Sequence, residues 1–370
     1  LQIEPVRHIK SFKHTYMNTT PTSPPVEPVE PVSIVSLVLI LLSALIHASW
    51  NLASRKTKGD LATLVSGVVL ATFIITPIAF LVPVTGNIMD GVWICVASGL
   101  VHVIYIALVG AMYSVAGGSV SLVYPVARGT GVAFTAILAG PILGEEVSVM
   151  GGLGVAMIIS GIATMAWSKL GLLGNWANYD VLGKWRLRQA QAEKKDHNKD
   201  STTQDEPTVV VHTGEIAPSL PSVPLKSKCH PKAPALALAL LCGTVISSYS
   251  LLDKAGVGEM NPIQYSAGML WVECACLVPY MLVRRRTQCC LALHERKKYI
   301  VIVGVGGWGC YLIVLYVLTL SPSSYVTALR EVSVVFGAAL GVMVLKEKLT
   351  IGIVLGVVAI VVGLVFIKMA

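Results

Sequence analysis

Ten apolar segments, each close to 20 residues long, run through this sequence. A helix needs about 20 apolar residues to cross the roughly 30 Å of hydrocarbon in a bilayer. Hydrophobic residues make up 54% of the chain and charged residues only 13%, whereas soluble domains carry about 25% charged residues. The segments are too long for the alternating strands of a membrane barrel. We therefore predict an all-α integral membrane protein with ten transmembrane helices.

The apolar segments fall into two groups of five. Residues 1–32 are polar and proline-rich and are predicted to be disordered. Residues 33–168 hold the first five helices, 169–233 form a largely disordered polar linker, and 234–370 hold the second five. Within the linker, residues 183–195 either form a helix on the membrane surface or stay disordered.

The edges of the apolar segments predict where each helix begins and ends. In the first half the helices are predicted at 33–53, from 61 to the prolines Pro77 and Pro83, at 91–114, from Gly118 to Glu145, and at 148–167. In the second half they are predicted at 234–252, 262–283, 299–320, 322–345 and 350–368.

One stretch of the sequence occurs twice at a spacing of 202 residues. At this spacing Arg128 aligns with Arg330 without a gap. The further aligned pairs are Phe134 with Phe336, Glu145 with Glu347, Ser148 with Thr350, Gly154 with Gly356 and Gly161 with Gly363. An arginine at the centre of an apolar helix costs roughly 2.5 to 3.5 kcal/mol on insertion scales, so two at equivalent depth are not expected by chance. The chain is therefore interpreted as two copies of one membrane unit.

The number of helices in each copy predicts how the copies are arranged. Five is an odd number, so the second copy enters the membrane from the opposite side, and the two copies are inverted repeats. Such repeats are typical of transporters whose site lies at the bilayer midplane and opens alternately to each side. The helices that carry Arg128 and Arg330 are expected to line this central cavity.

At these positions the sequence resembles the EamA family of the drug/metabolite transporter superfamily. The resemblance rests on H-A-x-W-N at His47 to Asn51, Y-P-x-x-R-G at Tyr124 to Gly129, L-G-E-E-x-S at Leu143 to Ser148, A-L-R-E-x-S-V-V-F-G at Ala328 to Gly337, and L-K-E-K-L-T at Leu345 to Thr350. It covers roughly 33–168 and 234–368. The resemblance implies a ten-helix carrier of small metabolites or drugs with two EamA-type repeats, and it leaves the substrate open.

The chain departs from the family pattern in two respects. Its linker is longer than the connection usual in bacterial members, and its first helix carries no carboxylate. The second departure removes the position that carries the proton in the small multidrug relatives.

The substrate-binding residues are predicted from charged, amide and aromatic side chains that lie inside the spans. They are Arg128, Tyr124, Arg330, Trp50, Asn51, Tyr249 and Tyr325. Structural alternatives remain, because an intramembrane arginine also neutralises buried carboxylates, and a tryptophan near a helix end also anchors the helix at the interface. Pro125 beside Tyr124 leaves a helix carbonyl without its donor, and such a carbonyl can face a cavity.

Two carboxylates are predicted to couple transport to an ion gradient. Glu273 is an isolated acid in the seventh span, where it either carries a proton or packs as a neutral group. Glu331 follows Arg330 directly, so a local ion pair between the two is the structural alternative. His47 and His102 are also titratable, but a single histidine on an apolar helix more often binds a backbone carbonyl.

The leading functional prediction is a secondary-active transporter of a small metabolite or drug-like solute. An ATP-driven pump is not expected, because the sequence has no G-x-x-x-x-G-K-[ST] loop. The alternatives are a channel, a non-transporting membrane sensor and a membrane-embedded lipid-modifying enzyme. The enzyme would need a cluster of nucleophilic or acid–base groups, whereas the 8 histidines are dispersed, so no enzymatic activity is expected.

The expected partners are a small-molecule substrate and the lipid bilayer. The net charge of +8 lies in loops beside the spans, so nucleic acid is not expected. No cofactor or metal is expected, because no Cys-x-x-Cys pair occurs. The sequence leaves open whether the protein forms a homodimer, and whether this multi-pass protein resides in the plasma membrane or an endomembrane.

The distribution of charge predicts on which side of the membrane the linker lies. Lysine and arginine cluster in the loops after the first, fifth and seventh helices, whereas the opposite loops carry Asp90, Glu145, Glu146 and Glu259. The positive-inside rule therefore places the linker in the cytoplasm, and Asn18 of the sequon Asn18-Thr19-Thr20 on the outer or lumenal side. The family resemblance implies the reverse. Digestion of intact cells with a protease should leave the linker uncut on an antibody blot, and cleavage from outside would favour the family orientation.

Overall fold

The computed structural model describes the membrane region of the chain and a few positions of the linker. The described residues are 32–57, 60–116, 120–170, 173–174, 176, 179–183, 233–344 and 348–370. The N-terminal segment predicted to be disordered, and nearly all of the linker helix predicted at 183–195, lie outside this part of the chain.

The described residues form twelve helices, which we number in chain order. They are α1 (Ile34–Lys56), α2 (Leu61–Leu81), α3 (Ile88–Ala116), α4 (Val120–Leu143), α5 (Val149–Leu170), α6 (Ala233–Glu259), α7 (Pro262–Arg284), α8 (Arg286–Glu295), α9 (Lys297–Leu320), α10 (Ser323–Arg330), α11 (Val332–Val344) and α12 (Ile351–Met369). They provide 10 candidate membrane spans, with α10 and α11 together forming the ninth. The described part contains no strand, only an isolated bridge between Asp180 and Thr350. The predicted all-α membrane fold is confirmed.

The two halves of the protein are interleaved rather than placed side by side. Helix α3 packs on α6 of the other half, and α1 packs on α9. Helix α2 likewise packs on α9 and α3 on α7, while α4 packs on α6 and α1 on α11. Each of these contacts made by a helix of the first half therefore has a counterpart made by the corresponding helix of the second half.

Helices α5 and α12 form a seam in which glycine backbones touch. Gly154 lies against Gly363, and Gly161 lies against Gly356, so the two helices run antiparallel. A Cβ atom on Gly161 would lie 2.6 Å from the carbonyl oxygen of Gly356. Small residues allow such close approach where no water is available to drive association. The four seam glycines are the ones that the 202-residue spacing aligns with each other.

The ninth span differs from the prediction because its helix is interrupted in the middle. Helix α10 ends at Arg330, and the backbone N–H of Glu331 bonds the carbonyl of Ala328 at 3.0 Å in a tight turn before α11 begins. At the other end of α10, the carboxylate of Glu145 accepts bonds from the N–H groups of Ser323 and Ser324 at 2.6 and 3.2 Å. These bonds satisfy donors that a helix start leaves free, and they place a negative charge at the positive end of its dipole.

Three further boundaries differ from the prediction. Pro77 does not end α2, which continues to Leu81, and α7 contains Pro279 at the equivalent position 202 residues later. Helix α6 continues seven residues past the predicted end at 252. The short helix α8 lies between the seventh and eighth spans, where Arg296 forms a salt bridge of 2.9 Å with Asp60 of the first half.

The close packing of α5 against α12 leads to a prediction about two glycines of α5. Gly161→Ala should lower the thermal unfolding midpoint in detergent, because the added methyl meets backbone, and overpacking of this kind costs about 1–3 kcal/mol. Gly152→Ala is the matched control, since its Cβ would meet only a Val147 methyl at 4.0 Å and alanine favours a helix. Equal midpoints for the two variants would contradict a tightly packed seam.

Candidate functional site

An ion pair between the two halves lies inside the protein. Arg128 of α4 contacts Glu331, the residue between α10 and α11, with Nη2 to Oε1 at 2.5 Å and Nε to Oε2 at 3.3 Å. Both side chains are almost fully buried. Two parallel bonds of this kind form the stronger, geometrically specific type of arginine–carboxylate pair.

The predicted local pair between Arg330 and Glu331 is therefore wrong. Adjacent residues of a helix do not face each other, so neighbours in sequence are poorly placed to pair. The turn at Glu331 directs its carboxylate to the other half of the protein, where Arg128 lies.

Arg330 is left with a different environment. Its guanidinium carbon lies 5.3 Å from the centre of the Tyr311 ring, an arrangement typical of a cation–π contact. No carboxylate in the described part of the chain forms an ion pair with Arg330. The residue is buried, at 9% exposure, and its charge lies within electrostatic reach of His47 and His102 of the first half.

Aromatic side chains from three helices form a cluster around the Tyr311 ring, on which this cation lies. The ring of Tyr249 lies 4.2 Å from that of His102 and 6.4 Å from that of Tyr311, centre to centre. Tyr105 adds an edge contact to Tyr249 at 5.7 Å. Of the predicted site residues, Arg330 and Tyr249 thus lie in one cluster, together with His102, Tyr105 and Tyr311.

Trp50 and Asn51 lie on α1, whose inner face meets α9. The Trp50 ring meets the ring of His47 edge-on at 5.2 Å and packs beside Gly307 of α9. The amide of Asn51 donates to the His47 carbonyl at 2.9 Å. In the described part of the chain the Nε2 atom of His47 is buried without a hydrogen-bond partner. His47 lies within electrostatic reach of both Arg128 and Arg330.

Two tyrosines of the predicted set remain, and the structure describes the side chain of Tyr325 but not that of Tyr124. Tyr325 is fully buried, and its hydroxyl accepts from the backbone N–H of Ser148 at 3.0 Å and contacts the Ser148 hydroxyl at 3.4 Å. Its hydroxyl thus fastens α10 to the start of α5. Tyr124 falls within α4, but its side chain lies outside the described residues.

Sequence reasoning missed Asp253, a fully buried carboxylate of α6. It accepts hydrogen bonds from the hydroxyls of Ser98 at 2.5 Å and Tyr265 at 2.9 Å, and from the hydroxyl of Tyr311. The predicted sixth span ends at 252, so Asp253 lies outside it. A spacing of 199 residues aligns Trp50 with Tyr249 and Arg55 with Lys254, and at this spacing Ser54 stands opposite Asp253, so the alignment gave no signal either.

Glu273 of α7 is the second acid near this cluster. It is 4% exposed, has no hydrogen-bond partner in the described part of the chain, and lies within electrostatic reach of Asp253. The cluster can therefore offer a solute one cation without an acid partner, several aromatic faces and two carboxyl groups.

The burial of the Arg128–Glu331 pair leads to a prediction about stability. Arg128→Met should lower stability by about 3–5 kcal/mol, because it leaves the Glu331 charge buried and unpaired. The double variant Arg128→Met, Glu331→Leu should recover most of this loss, since both charges are gone. Thermal unfolding of both proteins in detergent measures the difference, and equal losses would mean that the pair is not coupled.

Comparisons with known proteins find a family model for part of the chain and a solved structure with a similar fold. Residues 233–369 match the EamA-like transporter family, which is part of the drug/metabolite transporter superfamily. A solved protein crystal structure shares the fold at a TM-score of 0.56 and 13% sequence identity, over 90% of this chain and 98% of that chain. No curated protein sequence matches the chain. The family match covers the second predicted repeat, and membership of the first repeat stays a prediction.

Members of this family are transporters rather than enzymes. The match coincides with the five spans from α6 to α12, which are long and apolar enough to cross a membrane. In this multi-pass membrane protein, residues 233–369 match the model of the EamA-like transporter family.

Proposed function

We propose that this protein is a secondary-active transporter that moves a small organic anion by alternating access. The observation that carries the proposal is the Arg330 cation, which lies between the halves without an acid partner in the described part of the chain. A buried cation is costly, and intramembrane charges of this kind commonly mark a substrate or ion path. A negatively charged solute would supply the missing partner.

The walls of the site favour a solute with a planar or apolar body. Tyr311 lies against the guanidinium, and the rings of Tyr249 and His102 pack against Tyr311 and against each other. Rings of this kind bury a large area and stack on planar groups. A carboxylate or phosphate attached to a small planar body would thus satisfy both the cation and the rings.

Two features support alternating access by two inverted repeats. If each of the first five spans is replaced by the corresponding span of the last five, the main contacts between the helices of the two halves are reproduced. Rocking of two equivalent halves requires such an arrangement. The ninth span is interrupted at Glu331, beside the proposed site, and discontinuous helices are frequent at the binding sites of such transporters.

The Arg128–Glu331 pair is proposed to hold the two halves together rather than to bind the solute. Its charges already satisfy each other across the interface. Trp50 is proposed to form the wall of the site on the α1 side, next to the unpaired nitrogen of His47.

A channel or a sensor is the main alternative, and saturation separates it from a carrier. The purified protein would be reconstituted in vesicles and supplied in turn with radiolabelled aromatic carboxylates, phosphate monoesters and neutral and cationic aromatic solutes. A carrier gives saturable uptake that a second solute of the same class inhibits. A channel gives flux proportional to concentration, and a sensor gives none.

Arg330→Gln tests the proposed site directly. Uptake of the transported anion at subsaturating concentration should fall about 10- to 100-fold, because a bond to a charged group contributes about 1.5–3 kcal/mol and each 1.4 kcal/mol is tenfold. Arg284→Gln is the matched control, since this arginine is exposed at the end of α7. Unchanged uptake by Arg330→Gln, or a preference for cationic solutes, would overturn the proposal.

A further inference from the structure

We propose that the short helix α8, together with the residues that join it to α7 and α9, binds the headgroups of anionic phospholipids. The proposed surface comprises Arg285 and Arg286 at the start of α8, Lys297 and Lys298 at the start of α9, and the side of α8 that faces away from the bundle. The inference does not rest on the proposed transport of an anion. It gives a binding role to a segment that the proposed function does not use.

The segment lies where the hydrocarbon of the bilayer ends. Leu282 and Val283, the last apolar residues of α7, are 58% and 79% exposed, as side chains that face lipid are. On α9, exposed apolar side chains begin again at Val301. Only one residue separates α8 from α7 and one residue separates it from α9, so α8 stays close to both span ends. The cations at these junctions therefore lie at the level of the lipid headgroups.

One side of α8 is fixed to the rest of the protein. Ala292 is buried in a cluster that includes Ala62 and Val65 of α2. One turn later, Arg296 forms its salt bridge with Asp60, whose carboxylate caps α2. Helix α8 thus presents its remaining side chains from a fixed position, and a surface that is ordered beforehand loses little freedom when a ligand binds.

The exposed cations of this surface have no acidic partner within the part of the chain that the structure describes. Arg285 donates to the amide oxygen of Gln288 at 3.0 Å, and the ammonium group of Lys298 lies 5.1 Å from the centre of the Tyr299 ring. Glu295 is the only acid of α8, and among the described residues it forms no salt bridge. The described residues therefore leave the positive charge of this surface unbalanced.

The placement of these cations also opposes the stability of the helices that carry them. The start of a helix has a partial positive charge and favours anions, whereas cations are favourable at its end. Helices α8 and α9 both begin with adjacent cations, no acid lies in their first turns, and no side chain caps either start. Glu295 lies at the end of α8, so this acid is also at the unfavourable end. Phosphate groups bound near Arg286 and Lys297 would offset both the cations and the helix dipoles.

A lipid headgroup fits this surface better than a soluble anion does. Leu291 and Leu293 of α8 are exposed between the two groups of cations, so apolar side chains and cations lie side by side. A phospholipid presents acyl chains and a phosphate to such a surface together, whereas a soluble phosphate leaves the leucines in water. Clusters of arginine and lysine beside a span are typical of binding to anionic lipids, and the cytoplasmic side, where the charge rule places this segment, carries such lipids.

Native mass spectrometry of the purified full chain in detergent tests this preference. Phosphatidylserine and phosphatidylcholine are added in turn, and the fraction of protein with one bound lipid gives a dissociation constant for each. Wild-type protein should bind phosphatidylserine more tightly. The double variant Arg285→Gln, Arg286→Gln should weaken this binding about 10- to 30-fold, since each cation contributes about fivefold, and should leave the binding of phosphatidylcholine unchanged.

Two matched variants distinguish a role of charge from a loss of structure. Glu295→Gln removes the acid of α8 and should tighten the binding of phosphatidylserine by up to about fivefold, which damage to the fold would not do. Asp60→Asn with Arg296→Gln removes one charge of each sign and should leave both dissociation constants unchanged. A loss of phosphatidylserine binding in this control as large as in the arginine variant would overturn the proposal.

A second pair of substitutions keeps the test decisive if the arginine variant does not fold. Lys297→Gln with Lys298→Gln, at the other end of α8, should weaken the binding of phosphatidylserine by a similar factor. Equal affinity of the wild type for the two lipids, or phosphatidylserine binding that neither pair of substitutions weakens, would contradict the proposal. Displacement of phosphatidylserine by millimolar glycerol phosphate would contradict it as well, because it would show a site for a soluble anion.

Discussion

The arrangement of the two halves depends on the Arg128–Glu331 pair, a buried contact between opposite charges that come from different halves of the chain. Neither charge is tolerable alone in an apolar interior, so each half carries a group that is stable only against the other. The turn that interrupts the ninth span directs Glu331 to this contact, whereas Arg330, the preceding residue, lies on the ring of Tyr311. One local break in a helix thus gives two neighbouring charged residues different surroundings.

Much of the fold could be predicted because the bilayer restricts it so strongly. Backbone groups in hydrocarbon must bond within their own helix, so apolar length alone located the spans to within a few residues for most of the chain. The predicted helix ends were wrong where polar side chains at the end of an apolar segment bind groups of other helices instead of water. Helix α6 continues past its apolar segment because the carboxylate of Asp253 and the ammonium group of Lys254 find partners on α3, α7 and α9. The interruption at Glu331 depends on Arg128, which lies 203 residues away.

The candidate site was harder to predict for a related reason. Repetition singled out Arg128 and Arg330 as a pair, and yet the structure gives them opposite surroundings, one saturated by a carboxylate and one lying on an aromatic ring. Two equivalent positions can differ in this way because only the second copy has a glutamate directly after its arginine, where the first has Gly129. The motif that ends at Ser148 contributed to the family resemblance, but the contact of the Ser148 backbone with Tyr325 requires knowledge of which helices are neighbours.

The glycine seam between α5 and α12 has a symmetry of its own. Gly154 meets Gly363, which the 202-residue spacing aligns with Gly161, and Gly161 meets Gly356, which the same spacing aligns with Gly154. Each glycine therefore lies against the residue that aligns with the other glycine of its own helix. Such an exchange of positions is what two identical surfaces show across a two-fold axis.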